Sequence, residues 1–138
     1  NTAGINLSNA NLTDAILREA NLSGEGSERP QLTGANFTRA DLYKANLKSA
    51  DFTGATLVDV NFQEANLENA LFINVNATGA DFRLSNFTDI GLGGTVNFNL
   101  ANLSGIGITD TTPIIDPATG LPVPTTISFR GANLSGAS

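Results

Sequence analysis

A five-residue unit recurs along most of this 138-residue chain, and it constrains the fold more than any other feature. Reading in quintets from Ile5 gives segments such as ANLTD at 10–14 and ANLKS at 45–49. We call the third residue of each quintet the centre; it is usually Leu or Phe. Chance does not place every Phe of a chain in one of five positions, so the repeat reflects the fold. The centre-position phenylalanines are Phe37, Phe52, Phe62, Phe72, Phe82, Phe87, Phe98 and Phe129.

The repeat is interrupted twice in the C-terminal half of the chain. Quintets run in register over 5–94, Thr95 is one extra residue, and three more quintets follow at 96–110. Residues 111–126 do not repeat, and two final quintets occupy 127–136. The whole chain therefore reads as one domain built from a single unit.

A period of five residues fits neither an α-helix nor an alternating β-strand. Two apolar residues two apart, followed by a gap of three, fit a short extended stretch and then a corner, with both apolar side chains pointing inward. Gly, Asn and Asp tolerate the positive φ that tight corners need, and they are frequent at the fifth position. The fifth-position glycines are Gly24, Gly34, Gly54, Gly79, Gly94, Gly105, Gly131 and Gly136. The fifth-position Asn and Asp residues are Asn9, Asp14, Asp59, Asn69, Asn74 and Asp89.

These quintets resemble the A-(D/N)-L-x-x motif of the pentapeptide-repeat family, and the resemblance covers 115 residues of the chain. The resemblance implies an all-β fold, a right-handed quadrilateral β-helix with four quintets in each coil, as one domain over 1–138. Just under six coils, at about 4.8 Å for each stacked strand, would give a tower roughly 28 Å long. It also implies a secreted or lumenal member of the cyanobacterial type.

A coil of four quintets predicts which side chains stack on one another. Phe72 is expected on Phe52 and Phe82 on Phe62, which suits aromatic packing. Asn residues spaced by one coil are expected to form amide ladders, as in Asn46, Asn66 and Asn86. The predicted centre columns are Leu12, Leu32, Phe52, Phe72, Leu92; Leu22, Leu42, Phe62, Phe82, Leu103; Leu17, Phe37, Leu57, Ala77, Phe98; and Leu7, Ser27, Leu47, Leu67, Phe87, Ile108.

Two segments depart from the motif. EGSER at 25–29 breaks the motif but keeps the frame, and we expect a loosened corner there, with a small exposed partner loop as the alternative. The Pro-rich excursion 111–126 cannot continue the coil, because Pro removes ladder donors. We expect it to fold over part of the C-terminal end; a partner-recognition loop and a disordered segment are the alternatives. Asp116, Pro117 and Gly120 could form one turn of helix within it.

The composition argues against catalysis. Cys and His are absent, which removes most metal ligands and the Cys or His nucleophiles and bases. Paired carboxylates remain, but Asp41 and Asp81 are expected two coils apart, at about 10 Å. Asp110 and Asp116 lack the spacing of a Ca²⁺ loop. We therefore expect no catalytic, cofactor-binding or metal site, and no enzyme.

The sequence favours a non-enzymatic structural or protein-interaction scaffold. The resemblance also implies an alternative, because some family members mimic DNA and bind DNA gyrase, which confers quinolone tolerance. A tower of roughly 28 Å that mimicked duplex DNA would display about 16 negative charges. This chain has a net charge of −6, and no predicted face exceeds a net −3, which argues against mimicry. An acidic chain also argues against direct nucleic-acid binding.

Partner contacts are expected through a flat face or through the excursion 111–126. The last coil ends in ANLSGAS without a cap, which predicts a monomer or a weak end-to-end dimer. No apolar run approaches the roughly 18 residues of a membrane span. The chain begins at Asn1, as a processed protein would, and with the resemblance this predicts the periplasm or the thylakoid lumen, the cytoplasm being the alternative.

Overall fold

The computed structural model shows a solenoid of stacked coils and describes residues 4–24, 28–107 and 114–138. Within those residues the regular elements are all strands. The strands are β1 (Leu71–Ile73), β2 (Gly91–Asn97) and β3 (Thr125–Ser128). They form one sheet in the order β1-β2-β3, and both pairs are parallel.

Elsewhere the coils are joined by single parallel bridges between residues that are one coil apart, as from Asn46 to Asn66 and on to Asn86. The predicted amide ladder forms on these residues, because the Nδ2 of each Asn donates to the Oδ1 of the one before, at 3.4 and 3.1 Å. The all-β solenoid of the prediction is confirmed.

The second residue of each quintet explains the excess of Asn and Asp. The Oδ1 atom of Asn36 accepts hydrogen bonds from the Thr38 backbone N–H at 3.0 Å and from its hydroxyl at 2.6 Å. This bond holds the chain bent towards the corner, as Asn and Asp side chains commonly do in turns. The same bond recurs in most quintets, for example at Asn76 and Asn86.

The corner follows at the fifth residue, which has a positive φ. The Ala40 N–H donates to the Phe37 carbonyl at 2.8 Å, and Arg39 between them has a φ of 58°. A positive φ at the third residue of a four-residue turn is typical of type II. The prediction holds for all six Asn and Asp residues and for every fifth-position glycine except Gly24.

Seven further corner residues, none of them Gly, Asn or Asp, adopt the same left-handed conformation. They are Glu19, Arg39, Lys44, Ser49, Glu64, Leu84 and Leu100. Such residues avoid this region by roughly 1–2 kcal/mol each, so the stacking of coils imposes the corner on whatever side chain stands there.

The core is a column of apolar side chains from the first and third residues of each quintet. The six largest fully buried side chains are all Phe. The ring centroids of Phe52 and Phe72 are 5.3 Å apart, and Phe62 and Phe82 are stacked at 4.9 Å, as predicted.

The tower has four faces, and each carries one column of centres. Face A has Leu7, Leu32, Phe52, Phe72 and Leu92; face B has Leu12, Phe37, Leu57, Ala77, Phe98 and Phe129; face C has Leu17, Leu42, Phe62, Phe82, Leu103 and Leu134; face D has Leu22, Leu47, Leu67 and Phe87. We number the coils 1 (5–24), 2 (30–49), 3 (50–69), 4 (70–89), 5 (90–107) and the partial coil 6 (124–136).

Coil 1 lies one quintet away from its predicted position. The Leu7 N–H donates to the Gln31 carbonyl and the Leu12 N–H to that of Asn36, so each quintet of coil 1 pairs with the fifth one along the chain instead of the fourth. The predicted columns are therefore wrong through coil 1. The five-residue frame itself is kept across EGSER, as predicted, because the pairing of Asn6 with Gln31 spans a whole number of quintets. From coil 2 onward the columns stand as predicted over the described residues.

The physical reason lies in the composition of EGSER. In the predicted frame Glu25 and Ser27 would take the two inward positions, and burying a carboxylate in an apolar core is costly. Shifting coil 1 by a quintet brings Leu7 to Leu32 instead. Glu25 and Ser27 themselves lie outside the described residues.

The extra residue Thr95 is accommodated inside β2. Asn76 pairs with Asn97, one position further along than the regular spacing, which agrees with the predicted frame shift. In coil 6, β3 pairs Thr126 with Thr95, so an extra residue occupies the same place in both coils. The coil therefore resumes earlier than the sequence analysis predicted, which placed its return at residue 127.

Candidate interaction surfaces

The excursion folds into a short hairpin over 114–123. The Val123 N–H donates to the Ile114 carbonyl at 2.8 Å, and Ile115 forms an antiparallel bridge with Pro122. Ile115 remains 49% exposed. The hairpin is thus ordered by its own hydrogen bonds. Residues 111–113 of the excursion lie outside the described residues.

The hairpin tip is a single capped turn. The Asp116 Oδ1 atom accepts from the Ala118 N–H at 2.8 Å, and the Gly120 N–H returns to the Asp116 carbonyl at 2.8 Å. Gly120 has a φ of 68°, which ends the turn. The turn expected from Asp116, Pro117 and Gly120 is present, and Leu121 beyond it is 64% exposed.

One side chain anchors the hairpin to the flat side of face A. Ile114 lies against Gly91 and Gly93 of β2, where an ideal Cβ would come within 3.3 and 3.2 Å of its Cδ1 atom. These glycines open a shallow socket, so the hairpin packs on the side of coil 5. The prediction that it folds over the C-terminal end is wrong: Phe129 and Leu134 on that end are 36% and 48% exposed.

Most exposed large apolar side chains lie in coils 4 to 6 or the hairpin. In the described residues the set is Leu84, Leu100, Ile115, Leu121, Ile127, Phe129 and Leu134, with Ile5 and Ile16 in coil 1. Leu84 and Leu100 are unusual, because each is 68% exposed and also left-handed. Neither was singled out from the sequence, although Leu at a fifth position was a visible signal.

Coils 1 to 3 carry a cluster of charges on face C. Arg18 pairs with Asp41 at 2.9 Å and lies over the ring of Tyr43, 4.6 Å from its centroid. The Tyr43 hydroxyl donates to Glu64 at 2.9 Å. A hydrogen bond with Tyr43, and then the charge of Glu64, raise the pKa of Lys44. These contacts join coils 1, 2 and 3 along one face.

A second pair joins coils 1 and 2 at the corner between faces B and C. The Arg39 guanidinium donates two hydrogen bonds to the Asp14 carboxylate, both at 2.7 Å. The bond from Arg39 lowers the pKa of Asp14 below its ordinary value of 3.8. Both side chains are exposed, so the pair contributes little to stability but does fix an orientation.

The carboxylates considered for catalysis do lie on one face, as predicted. Asn61 lies between Asp41 and Asp81 in the column and donates to Asp41 at 2.9 Å. Asp81 is paired with Arg83 at 2.6 Å. Both acids are therefore engaged in ion pairs.

The remaining site predictions concern metals. Asp116 caps the hairpin turn, and Asp110 lies outside the described residues. Over the part of the chain that the structure describes, no group of three or more Asp and Glu side chains is placed to hold a metal ion. In the same residues no helix is long and apolar enough to cross a membrane.

Arg29 forms a contact that the sequence did not reveal. Its Nη1 atom donates to the carbonyls of Ser49 and Asn69, at 3.2 and 3.0 Å, and so joins the corners of coils 2 and 3. Gly24 is required nearby, because a Cβ there would collide with the Glu28 carbonyl. A fifth-position glycine with no positive φ thus serves close packing instead.

Charge on the four faces is close to balanced. Counted over the described residues of the coils, no face has a net charge beyond −1 once coil 1 takes its observed place. Face A carries Asp51 alone, and face D carries Lys48, Glu68 and Asp89.

Comparisons with known proteins agree with this architecture. A family model described as "Pentapeptide repeat region" matches residues 27–106, and one described as "Pentapeptide repeats (8 copies)" matches 1–24. The two matches divide where coil 1 changes frame. No curated protein sequence matches the chain.

Solved structures with the same repeat are similar over nearly the whole chain. The pentapeptide repeat protein Rfr23 from the cyanobacterium Cyanothece 51142 is 25% identical, with 99% of this chain and 84% of that one covered and a TM-score of 0.56. HetL, involved in heterocyst differentiation regulation in the cyanobacterium Nostoc sp. strain PCC 7120, is 24% identical over 99% and 86%, with a TM-score of 0.46. QnrB1, a plasmid-mediated fluoroquinolone resistance protein, in a trypsin-treated form, is 19% identical over 94% and 66%, with a TM-score of 0.45.

The family models together cover most of the chain, and the Asx-bent quintets, left-handed corners and four-sided core supply their structural counterpart. The chain belongs to the pentapeptide-repeat family.

Proposed function

We propose that the chain is a non-enzymatic scaffold that binds a protein partner through the hairpin 114–123. The observation that carries this proposal is the pair of exposed side chains on an ordered hairpin, Ile115 at 49% and Leu121 at 64% exposure. A segment that served only to return the chain to the coil would not require large apolar side chains exposed to solvent. Exposed apolar clusters of this kind mark interaction sites.

The hairpin is held at both ends, which favours binding. Ile114 lies in the glycine socket of face A, and β3 begins at Thr125, directly after the hairpin. A surface that is already ordered loses little conformational entropy when a partner binds. Asp116 is the only charged side chain of the hairpin, so the surface that the hairpin offers to a partner is mainly apolar.

The gyrase alternative receives no support from the charges. A DNA mimic of this length needs about 16 negative charges in a continuous pattern. The described residues of the faces are near neutral, and the acids of face C are paired with Arg and Lys. QnrB1, the fluoroquinolone resistance protein described above, is only 19% identical to this chain.

The test is cross-linking capture with matched variants. The double variant Ile115→Ser with Leu121→Ser removes the proposed contact, and Ile16→Ser removes an 80% exposed apolar group from coil 1 as a control. We expect the hairpin variant to lose at least about tenfold in partner yield, equivalent to ~1.4 kcal/mol, and Ile16→Ser to lose none. Equal yields from the two variants would overturn the proposal. Periplasmic and thylakoid-lumen extracts are the first to use, following the predicted compartments.

A further inference from the structure

Two corner leucines combine a left-handed backbone with an exposed apolar side chain. Leu84 and Leu100 have φ values of 58° and 59° and are each 68% exposed. Other corner residues are Gly, Asn or Asp, or carry polar groups such as Arg39 and Lys44, which form ion pairs between coils. Left-handed backbone and exposed apolar surface both cost free energy, and strain of this kind concentrates at functional positions.

The two leucines form a diagonal across face C. In coil 4 the face begins at Gly79 and ends at Leu84, whereas in coil 5 it begins at Leu100 and ends at Gly105. Each leucine therefore shares its coil with a glycine at the opposite corner of the face. Glycines also occupy both corners in coil 6, at Gly131 and Gly136.

We propose that face C of coils 3 to 6 binds a second copy of this chain in an antiparallel, two-fold arrangement. The axis crosses the face between coils 4 and 5, so coil 4 of each copy faces coil 5 of the other. Leu84 then faces Gly105 of the second copy, and Leu100 faces its Gly79. The surface is self-complementary, as a two-fold interface requires.

The contact at Leu84 is the stronger of the two. Leu84 leans over Gly105 of its own chain, where an ideal Cβ would be 3.5 Å from its Cδ2 atom. The Leu84 side chains of the two copies therefore meet beside the axis. At Gly79 the Asp59 carboxylate lies alongside, so Leu100 meets a partly polar site.

The floor of face C is also complementary in this arrangement. Asp81 faces Asn102 of the second copy, and Arg83 faces its Ser104. In coils 3 and 6 the facing groups are amides and a hydroxyl. Opposed pairs are Asn61 with Asn133 and Gln63 with Ser135. No like charges meet among these pairs, and each polar group faces a possible hydrogen-bond partner.

The charges disfavour the parallel alternative. If the two copies ran in the same direction, each coil would face itself, with opposite corners of the face brought together. Arg39 would then face Lys44 in coil 2, and Asp59 would face Glu64 in coil 3. Like charges opposed in this way repel. In the antiparallel arrangement coils 1 and 2 extend beyond the second copy.

The interface is small, which sets the expected affinity. Four coils at ~4.8 Å by a face about 10 Å wide fall well short of the roughly 800 Å² per partner of a stable complex. We therefore expect a dissociation constant on the order of 0.1 mM. Face A and its hairpin lie on the opposite side of the tower, so the dimer is separate from the proposed hairpin contact and would present two hairpins outward.

The experiment is sedimentation equilibrium from about 20 μM to about 1 mM, a range that spans the expected dissociation constant. The wild type should rise towards the mass of a dimer, and Leu84→Asp should weaken association at least about tenfold, with Leu100→Asp weaker in effect. Asp already occupies left-handed corners at Asp14 and Asp59, so the variants should fold. Ile16→Asp is the control, because Ile16 is on face C in coil 1, outside the antiparallel contact.

A strict monomer at the highest concentration would overturn the proposal. So would association that Ile16→Asp abolishes, since Ile16 enters the contact in the parallel arrangement and not in the antiparallel one. Spin labels resolve the direction independently: a label at Ser104 should give a shorter distance between copies than one at Ile16, whereas a parallel arrangement would give similar distances at both positions. Hairpin variants should not change the association, so the result is distinguishable from that of the capture experiment.

Discussion

The junction between coils 1 and 2 and the stack of coils 3 to 5 are built from the same quintet but held differently. In the stack, fully buried Phe rings fill the core, with Phe72 within 6.3 Å of four other rings. At the junction the centres Leu7, Leu12 and Leu17 are only partly buried, and the contacts include ion pairs and a cation–π contact.

This difference shows what a near-identical repeat cannot specify. Intact quintets carry interchangeable apolar residues, and EGSER, with Glu25 and Ser27 at its inward positions, is the quintet unsuited to the core. In the observed frame Asp14 meets Arg39 and Arg18 meets Tyr43. In the frame predicted from the sequence Asp14 would instead meet Gly34. The charged corners thus add to the exclusion of EGSER from the core in selecting the frame of coil 1.

Removing a central ring should have the largest effect. Phe72→Ala should lower the free energy of unfolding by about 3–5 kcal/mol, because the close-packed rings cannot fill the cavity. The same change at the junction, Leu12→Ala, should cost about 1–2 kcal/mol, since less apolar surface is withdrawn from water there. Urea denaturation followed by circular dichroism measures both. Similar losses for the two variants would mean that the core is uniform.

Reversing one charge at the junction should act locally. Asp14→Arg places two guanidinium groups together, and we expect faster amide exchange at Leu17 and Leu22 with no change around Phe72. The double variant Asp14→Arg with Arg39→Asp restores the pair and should restore protection. Hydrogen exchange by NMR tests this; failure of the double variant to rescue would show that the pair does not select the frame.

Acid should produce the smallest effect, again at the junction. The pKa of Asp14 is lowered in the folded chain, so its ionised form stabilises coil 1 above the ordinary pKa of 3.8. That contribution is lost as the pH falls through the lowered value. Between about pH 5 and about pH 2.5, protection in coil 1 should decline, and less so in Arg39→Gln, which lacks the bond. An identical pH response in both proteins would contradict the assignment.

Much of this fold could be predicted from the sequence, because the quintet combines several local signals. Phe72 and Asn66 were placed correctly, since each quintet stacks on the fourth one along the chain between coil 2 and coil 5. The sequence also placed Asp41 and Asp81 on one face, but it did not show that both are in ion pairs. The hairpin turn at Asp116 was readable, since it depends on neighbouring residues alone.

The errors share a physical origin in contacts between distant residues. EGSER visibly breaks the motif, but that coil 1 then moves by a whole quintet depends also on its contacts with Arg39 and Tyr43 in the next coil. The Ile114 socket depends on Gly91 and Gly93, which read as ordinary quintet residues in the sequence. Local patterns specify the unit, and long-range packing decides where an interrupted unit resumes.

Both interruptions end at the same edge of the tower, between faces D and A. One begins after Gly24, the other lies between Gly107 and Thr125, and in each case the chain rejoins the column of face A. This edge therefore behaves as a graft site: a single quintet in one case and a longer segment in the other leave the neighbouring coils paired. A foreign peptide inserted between Ser49 and Ala50, at the same edge of an uninterrupted coil, should be displayed on that side of the rod without altering its pitch.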